Sequence, residues 1–304
     1  MLSKGTSIPN TTIGIDVYGR SVYMPLIGAG TWQYNDTIAY QSVCQAFEAG
    51  YTMVDTAFGY GNERGVGMAI QDCWRRSRNE LFVMTKIPGG LSTNQVQAAH
   101  EQNLMLLGLE YVDHLMTHFP SDWGASNASP QARQEEWLAL ENIYYSGKAR
   151  SIGISHYCSR HIYDVLEVAT VVPSINQVEY HVGSQDVNDV IETCQKEGIT
   201  FMSFSPLCGP CTNVQPEDSL ISGRLVTEIG LKYGKTGSQV SLRFIVQQAL
   251  LGKNFMGGVI PKSNNVQHIE SNLDIFNFEL SEIDMARLHA ATKPSAEPGD
   301  CSIP

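Results

Sequence analysis

Short apolar runs alternate with longer amphipathic stretches along most of this chain. The runs are PLIGAGT (25–31), MVDTA (53–57), LFVMTKI (81–87), VDHLMTH (112–118), ARSIGIS (149–155), SINQVEY (174–180), TFMSFSP (200–206) and FMGGVIPK (255–262). They are near-continuous rather than alternating, as parallel strands buried on both faces are. Helical spacing marks the stretches between them, at about 37–49, 62–77, 93–107, 130–146, 159–169, 185–197 and 236–250. The fourth of these opens with Ser129 before Pro130, an N-cap followed by a first-turn proline, and sets Trp137, Leu140, Ile143 and Tyr144 on one face. Eight strand–helix units in sequence predict a closed (β/α)8 barrel of the TIM type. An open doubly wound sheet fits less well, because no glycine-rich phosphate loop follows the first strand.

Three pieces lie outside the repeat. Residues 12–25 alternate around Tyr18-Gly19-Arg20 and predict an N-terminal β-hairpin on the barrel floor. Residues 281–292 open with Ser281 and Asp284 in capping-box spacing and predict an extra helix. The tail after it, 293–304, is irregular. The expectation is one domain over 1–304, with the barrel at 25–280 and the helix and tail at 281–304.

Composition narrows the function. A chain of 304 residues with 42% hydrophobic and 17% charged residues has material for one large core. Its formal net charge of −11 disfavours nucleic acid and anionic membrane surfaces as partners. No run reaches the roughly 18 apolar residues of a membrane span, and the first residues lack the apolar core of a signal peptide. The seven cysteines are odd in number and scattered, which reads as reduced thiols in a cytoplasmic protein. The N-x-S/T sequons at Asn10, Asn35 and Asn127 read as chance on the same ground.

In a β/α barrel the chemistry gathers at the C-terminal ends of the strands. Asp55 ends strand 2, Tyr60 follows in its loop, Lys86 is near the end of strand 3, and His118 ends strand 4. Each has a bland reading as a helix cap or a solvated end, but successive strand ends converge on one mouth. A lysine beside a tyrosine lowers the phenol pKa, a carboxylate orients the lysine, and a neutral histidine donates to a carbonyl oxygen. That set suits general-acid catalysis of carbonyl reduction. It supplies no hydride, so a nicotinamide cofactor is needed.

MPLIGAGTW (24–32), DTAFGYGNE (55–63), TKIP (85–88), HFP (118–120), GKARSIGIS (147–155), NQVEYH (176–181), SFSPL (203–207) and IPKS (260–263) together resemble the aldo-keto reductases, over about 12–292. The resemblance implies an NADPH-dependent reductase of aldehydes and ketones, in the class of oxidoreductases acting on alcohol groups (EC 1.1.1.-). Asp55, Tyr60, Lys86 and His118 match its catalytic tetrad, with Tyr60 the proton donor. Gly30, Thr31 and Trp32 match the first cofactor-side loop. Ser155, His156 and Gln177 match the nicotinamide carboxamide contacts, and Phe204 the stacking aromatic. Ser205 and Leu207 match the pyrophosphate segment, Lys262 and Ser263 the 2′-phosphate grip, and Asn272 an adenine contact.

The pattern also departs from that family. His156 stands where an asparagine is usual, His268 where an arginine is usual, and Ser271 where a glutamate is usual. Histidine is not a permanent bidentate phosphate donor as arginine is. NADPH is therefore expected to be preferred, with NADH as a second cofactor and a margin that narrows as pH rises through the titration of His268. Trp32, Phe58, Phe119 and Trp123 map to an apolar substrate mouth, and the tail is expected to bring Cys301 to its border. The expected partner is a small carbonyl compound, and the expected assembly a monomer or weak dimer. A non-catalytic cofactor-binding relative is the alternative. Cys208-Gly209-Pro210-Cys211 is unexplained by the resemblance. Its thioredoxin context is absent and no further ligand has local metal-site spacing, so no metal is expected.

Overall fold

The computed structural model describes residues 7–304 except 125, 187–188, 210, 212–213, 252–255, 297–298 and 300. Strands β1 (Asn10–Ile15) and β2 (Ser21–Pro25) pair antiparallel as a hairpin. Eight parallel strands follow. They are β3 (Ala29–Gly30), β4 (Met53–Asp55), β5 (Phe82–Ile87), β6 (His114–Thr117), β7 (Ile152–Ser155), β8 (Ile175–Glu179), β9 (Thr200–Phe204) and β10 (Met256–Val259), each hydrogen-bonded to the next in chain order. The two edges meet where Ile27 bridges Val259, with Gly28 N donating to Val259 O at 2.9 Å and Val259 N to Leu26 O at 3.0 Å. The fold is the (β/α)8 barrel that the apolar runs predict.

Helices α1 (Asp36–Ala49), α2 (Glu63–Cys73), α3 (Thr93–Leu107), α4 (Pro130–Tyr145), α5 (Ser159–Leu166) and α6 (Val190–Glu197) connect β3 through β9. Between β9 and β10 there are two, α7 (Arg224–Tyr233) and α8 (Gly237–Leu250), and α9 (Val266–Leu273) and α10 (Glu282–His289) follow β10. The Ser129 cap of α4 accepts from Ala132 N, and Ser281 caps α10 through Asp284 N. The sequence reading gave one helix in the β9–β10 connection; α7 is the second. It braces α10, with Lys232 Nζ and Tyr233 Oη donating to Asp284 at 2.6 and 2.8 Å.

Two hydrophobic clusters divide the strand residues by parity. Val54, Val83, Ile87, Leu115, Ile152, Ile154, Val178 and Phe201 join the outer cluster against the helices. Met53, Phe82, Met84, Met116, Ile175 and Met202 form the inner one, floored by Ile13, Val22 and Met24 of the hairpin. Successive side chains on a strand face opposite ways. Two residues beyond each inner apolar side chain therefore comes the next inward position: Asp55 above Met53, Lys86 above Met84, His118 above Met116, Gln177 and Glu179 above Ile175, and Phe204 above Met202. The apolar plug ends where the polar mouth begins.

The cysteines depart from the all-reduced expectation. Cys44 of α1 and Cys73 of α2 form a disulfide with Cα atoms 5.3 Å apart, and Cys208 and Cys211 form a second with Cα atoms 5.2 Å apart. Cys158 and Cys194 are buried free thiols. The tail lies against α4 and α5: Arg160 Nη2 of α5 donates to Cys301 O at 2.8 Å and also to Ile303 O, and Arg133 Nη1 of α4 donates to Pro304 O at 3.1 Å.

Candidate active site

Asp55 and Lys86 lie side by side on β4 and β5, and neither can reach water. Lys86 Nζ donates to Asp55 Oδ1 at 2.8 Å and Oδ2 at 2.7 Å, and to Thr56 O at 3.1 Å. Tyr60 stands on a short 3₁₀ turn, Phe58–Tyr60, that follows β4. Its hydroxyl is 3.5 Å from Lys86 Nζ, and its ring meets that of His118 edge-on with centroids 5.5 Å apart. The four predicted residues thus converge at the barrel mouth.

The electrostatics differ from the sequence expectation at Tyr60. Burial, reinforced by the Asp55 charge, pushes its phenol well above the ordinary tyrosine range. The phenol is raised although the Lys86 ammonium lies 3.5 Å away. Burial lowers the Lys86 pKa while the Asp55 charge opposes that shift. Burial, aided by the Lys86 charge, depresses His118 to about 2, so its imidazole is neutral. Phenol and imidazole are both in their hydrogen-bond-donating forms at neutral pH.

A cleft of about 820 Å³ opens above these residues. Gly30, Thr31, Trp32, Tyr60, His118, Phe119, Trp123, His156, Gln177, Phe204, Ser205, Leu207 and Lys262 line it, and Gly299 brings the tail to its rim. A Cβ on Gly30 would stand 2.8 Å from Ile260 O, so the backbone passes there only without a side chain. Thr31 Oγ1 donates to Asp55 O at 2.9 Å. Ser155 is fully buried and donates to Gln177 O at 2.7 Å, while Gln177 Nε2 donates to Asp55 Oδ2 at 3.0 Å. His156 takes a positive φ of 63° and stacks on Phe119 at 4.4 Å, and it tilts against Phe204 at 4.8 Å. Ser205 (φ 48°) is a second non-glycine residue in that sparsely populated region on the cleft wall, and such backbone outliers cluster at functional sites.

Lys262 is part of the cleft lining, and the remaining candidates fall outside it. Lys262 Nζ donates to Gln33 Oε1 at 2.9 Å and lies 5.0 Å from the Tyr34 ring centroid. Among the described residues no carboxylate pairs with it. Ser263 and Asn272 line a small separate hollow against α9, and His268 is exposed on α9. Phe58 packs against the outer core, as does Cys301.

One buried acid escaped the sequence reading. Glu63 is 1% exposed, accepts from Thr85 Oγ1 at 2.5 Å, and sits close enough to Lys86 to feel its charge. Burial raises its pKa to about 7. An acid in the first turn of a helix ordinarily reads as a partner of the helix dipole, which is why the motif DTAFGYGNE did not single it out.

Fold and mouth together describe a barrel that holds a protonated tyrosine, a buried lysine and a neutral histidine around one cleft. The comparisons agree with that class. Residues 26–293 match the model of the aldo/keto reductase family. The glyoxal reductase of Bacillus subtilis is 34% identical over 280 residues, covering 90% of this chain and 91% of that protein. The NAD(P)H-dependent D-xylose reductase I,II of Candida tropicalis is 31% identical over 291 residues, covering 86% and 87%. The crystal structure of MGS-M4, an aldo-keto reductase enzyme from a Medee basin deep-sea metagenome library, superposes with a TM-score of 0.78 at 33% identity, over 89% of this chain and 92% of that one. This chain belongs to the aldo/keto reductase family. It is an oxidoreductase of a family that works with nicotinamide cofactors and reduces carbonyl groups. Among the described residues no helix is long and apolar enough to cross a membrane.

Proposed function

We propose that this chain is an NADPH-preferring reductase of aldehydes and ketones, with Tyr60 as the proton donor. The observation that carries the reading is the Tyr60 hydroxyl 3.5 Å from a lysine that is itself held at 2.7–2.8 Å by a buried carboxylate. A protein that only bound a cofactor has no use for that pair, since burying two charges is costly even when they meet.

The cleft fits the cofactor. A bare Gly30 backbone passes close to Ile260 O, a flat aromatic wall is made by Phe204, and Lys262 supplies a cation with no carboxylate partner among the described residues. Phe204 is suited to stack on the nicotinamide ring, Ser205 and Leu207 to flank the pyrophosphate, and Lys262 to attract the 2′-phosphate. Gly30, Thr31 and Trp32 form the adjoining wall. Ser155, His156 and Gln177 would hold the carboxamide, and Ser263, His268 and Asn272 the adenosine end. The bound cofactor supplies the hydride.

The chain's own residues supply the rest. Tyr60 and His118 both aim donors into the mouth, where a carbonyl oxygen accepts them and is polarised. As negative charge grows on that oxygen, the Tyr60 hydroxyl gives up its proton. The tyrosinate so formed is stabilised by Lys86, whose Nζ already faces it. Asp55 keeps Lys86 charged and pointed, and Gln177 holds the second oxygen of Asp55 in place. Trp32, Phe119 and Trp123 make an apolar entrance and exclude water, which favours uncharged, aromatic aldehydes.

The test follows NADPH absorbance with a panel of aldehydes for wild type and Tyr60→Phe. Wild type is expected to oxidise NADPH in an aldehyde-dependent way and Tyr60→Phe to lose about 10²–10⁴-fold in kcat, the usual worth of a positioned acid. Full activity in Tyr60→Phe overturns the mechanism, and a wild type inert to every aldehyde overturns the activity.

A further inference from the structure

Residues far apart in sequence meet beside the cofactor cleft. Glu179 is the top inward residue of β8, His181 follows two residues on, and Cys208 and Cys211 belong to the loop after β9. The ligand atoms of His181, Cys208 and Cys211 all lie within 4.8 Å of one another. His181 Nε2 is 3.6 Å from Cys211 Sγ and 3.8 Å from Glu179 Oε1, and Cys211 Sγ is 3.8 Å from that same oxygen. These three separations, among Cys211, His181 and Glu179, are close to edges of a coordination tetrahedron, in which bonds of about 2.3 Å to sulfur and about 2.0–2.1 Å to nitrogen or oxygen place neighbouring ligand atoms roughly 3.4–3.8 Å apart; Cys208 Sγ completes the set once it is released from Cys211.

Three further features suit a cation. His181 Nδ1 lies 2.8 Å from Val182 O, its proper acceptor. The carbonyl takes the ring proton and leaves the Nε2 lone pair facing the cysteines, as a metal-ligating imidazole is usually held. His181 is completely buried. Among the described residues the Glu179 carboxyl meets no lysine or arginine, and its partner is this imidazole. One side of the mouth thus brings together a carboxylate, an imidazole and two sulfurs, with no lysine or arginine paired to the carboxylate among the described residues.

We propose that the reduced chain binds one Zn²⁺ through Cys208, Cys211, His181 and Glu179, and that the ion clamps the loop after β9 to the end of β8. In the structure the two sulfurs are joined as a disulfide, so the site forms only after reduction. A dithiol gives two electrons and two protons to the 208–211 bond and is itself oxidised to a disulfide. Zn²⁺ then displaces the two thiol protons to solvent and forms two S–Zn bonds, while His181 Nε2 and a Glu179 oxygen complete the shell. Two thiolates and an imidazole select zinc over harder cations, which prefer all-oxygen sites. Gly209, between the cysteines, lines the cleft with Ser205 and Leu207, so clamping this loop holds the wall of the cleft. Disulfide and zinc are thereby two alternative fastenings of one segment.

The test uses the full chain carrying Cys44→Ser and Cys73→Ser, which removes the other cysteine pair, reduced with a water-soluble phosphine and titrated with Zn²⁺ against a chelating dye. One equivalent is expected to bind, with two protons released. Cys208→Ser with Cys211→Ser is expected to abolish binding. His181→Gln and Glu179→Gln are each expected to weaken it by more than about tenfold, since even losing a ligand's supporting partner costs that much. Binding no greater than that of the Cys208/Cys211 double variant overturns the site, and so does wild-type affinity in both His181→Gln and Glu179→Gln. X-ray absorption at the zinc edge on the loaded, otherwise unsubstituted chain reads the shell without relying on those variants' folding. Two sulfurs with two nitrogen or oxygen ligands supports the assignment, and any other sulfur count overturns it. None of these readouts involves turnover, so their failure is separable from failure of the reductase reading.

Discussion

Lys86 Nζ lies within 2.8 Å of both carboxylate oxygens of Asp55, and both side chains are sealed from solvent. Removing one partner of a buried pair leaves the other as an uncompensated charge, at a cost of about 3–5 kcal/mol. Lys86→Met and Asp55→Asn are each expected to lower unfolding free energy by that amount. The double variant is expected to recover much of it, because no charge is then stranded. Urea denaturation of all four proteins checks this. Equal losses in singles and double would mean that packing, not charge, dominates at this position.

The high pKa of Tyr60 makes a prediction about pH. Its phenol is raised by burial and by Asp55, so the donor stays protonated beyond the ordinary tyrosine range, near 10. For reduction, kcat is therefore expected to show no loss from Tyr60 ionisation between about pH 6 and 9. Oxidation of the alcohol needs the tyrosinate and is expected to speed up as pH rises over the same range. Measuring kcat in both directions decides the matter. A basic limb near pH 8 in reduction that vanishes in Tyr60→Phe would show Lys86 overriding burial once ligands are bound.

Lys262 lines the cleft with Gln33 Oε1 2.9 Å away and, among the described residues, no carboxylate partner. A charge-assisted hydrogen bond to phosphate contributes about 1.5–3 kcal/mol, a factor of roughly ten to a hundred in affinity. Lys262→Ala is expected to weaken NADPH by that factor and to leave NADH within about threefold. Fluorescence titration with both cofactors checks it. A parallel loss for both would place Lys262 on a part the two share.

What the sequence disclosed and what it concealed follow from one geometric fact. Along a strand the period is two, so Met53–Asp55, Met84–Lys86 and Met116–His118 announce their positions as an apolar run interrupted at its last inward residue. The strands, the mouth and the catalytic candidates were legible for that reason. Contacts between distant strands leave no such trace: nothing in the spacing of NQVEYH and LCGPC says that Glu179 and His181 approach Cys211. Nor does it say that Cys44 on α1 meets Cys73 on α2. Helix α7 was hidden by its short apolar stripe, in which Val226, Ile229 and Gly230 are the buried positions. The shift at Tyr60 differs from the sequence expectation because that expectation weighs the nearby cation without the burial of the phenol and the charge of Asp55.

Glu136 gives a prediction on stability that is independent of chemistry. It is a buried acid on α4, accepting long hydrogen bonds from Gly90 N at 3.3 Å and Leu91 N at 3.4 Å, and burial raises its pKa from 4.5 to about 8. Below pH 4.5 the carboxyl is protonated in both folded and unfolded chains. Between 4.5 and about 8 the unfolded chain has released the proton while the folded chain keeps it. The folded state then binds more protons, so its stability falls as pH rises through this window and levels off above it. Each pKa unit corresponds to about 1.4 kcal/mol, so the loss is on the order of a few kcal/mol. Gly90 N and Leu91 N reach different carboxyl oxygens, so Glu136→Gln keeps an acceptor for only one of them, a cost that does not vary with pH, and it removes the titration. The stability of the variant relative to wild type is therefore expected to be lowest near pH 5 and to rise steadily toward pH 8.5. Thermal unfolding of both proteins at several pH values measures the difference, in which contributions from all other groups cancel. A difference that does not change with pH would mean that the Glu136 carboxyl ionises in the folded chain as readily as in water.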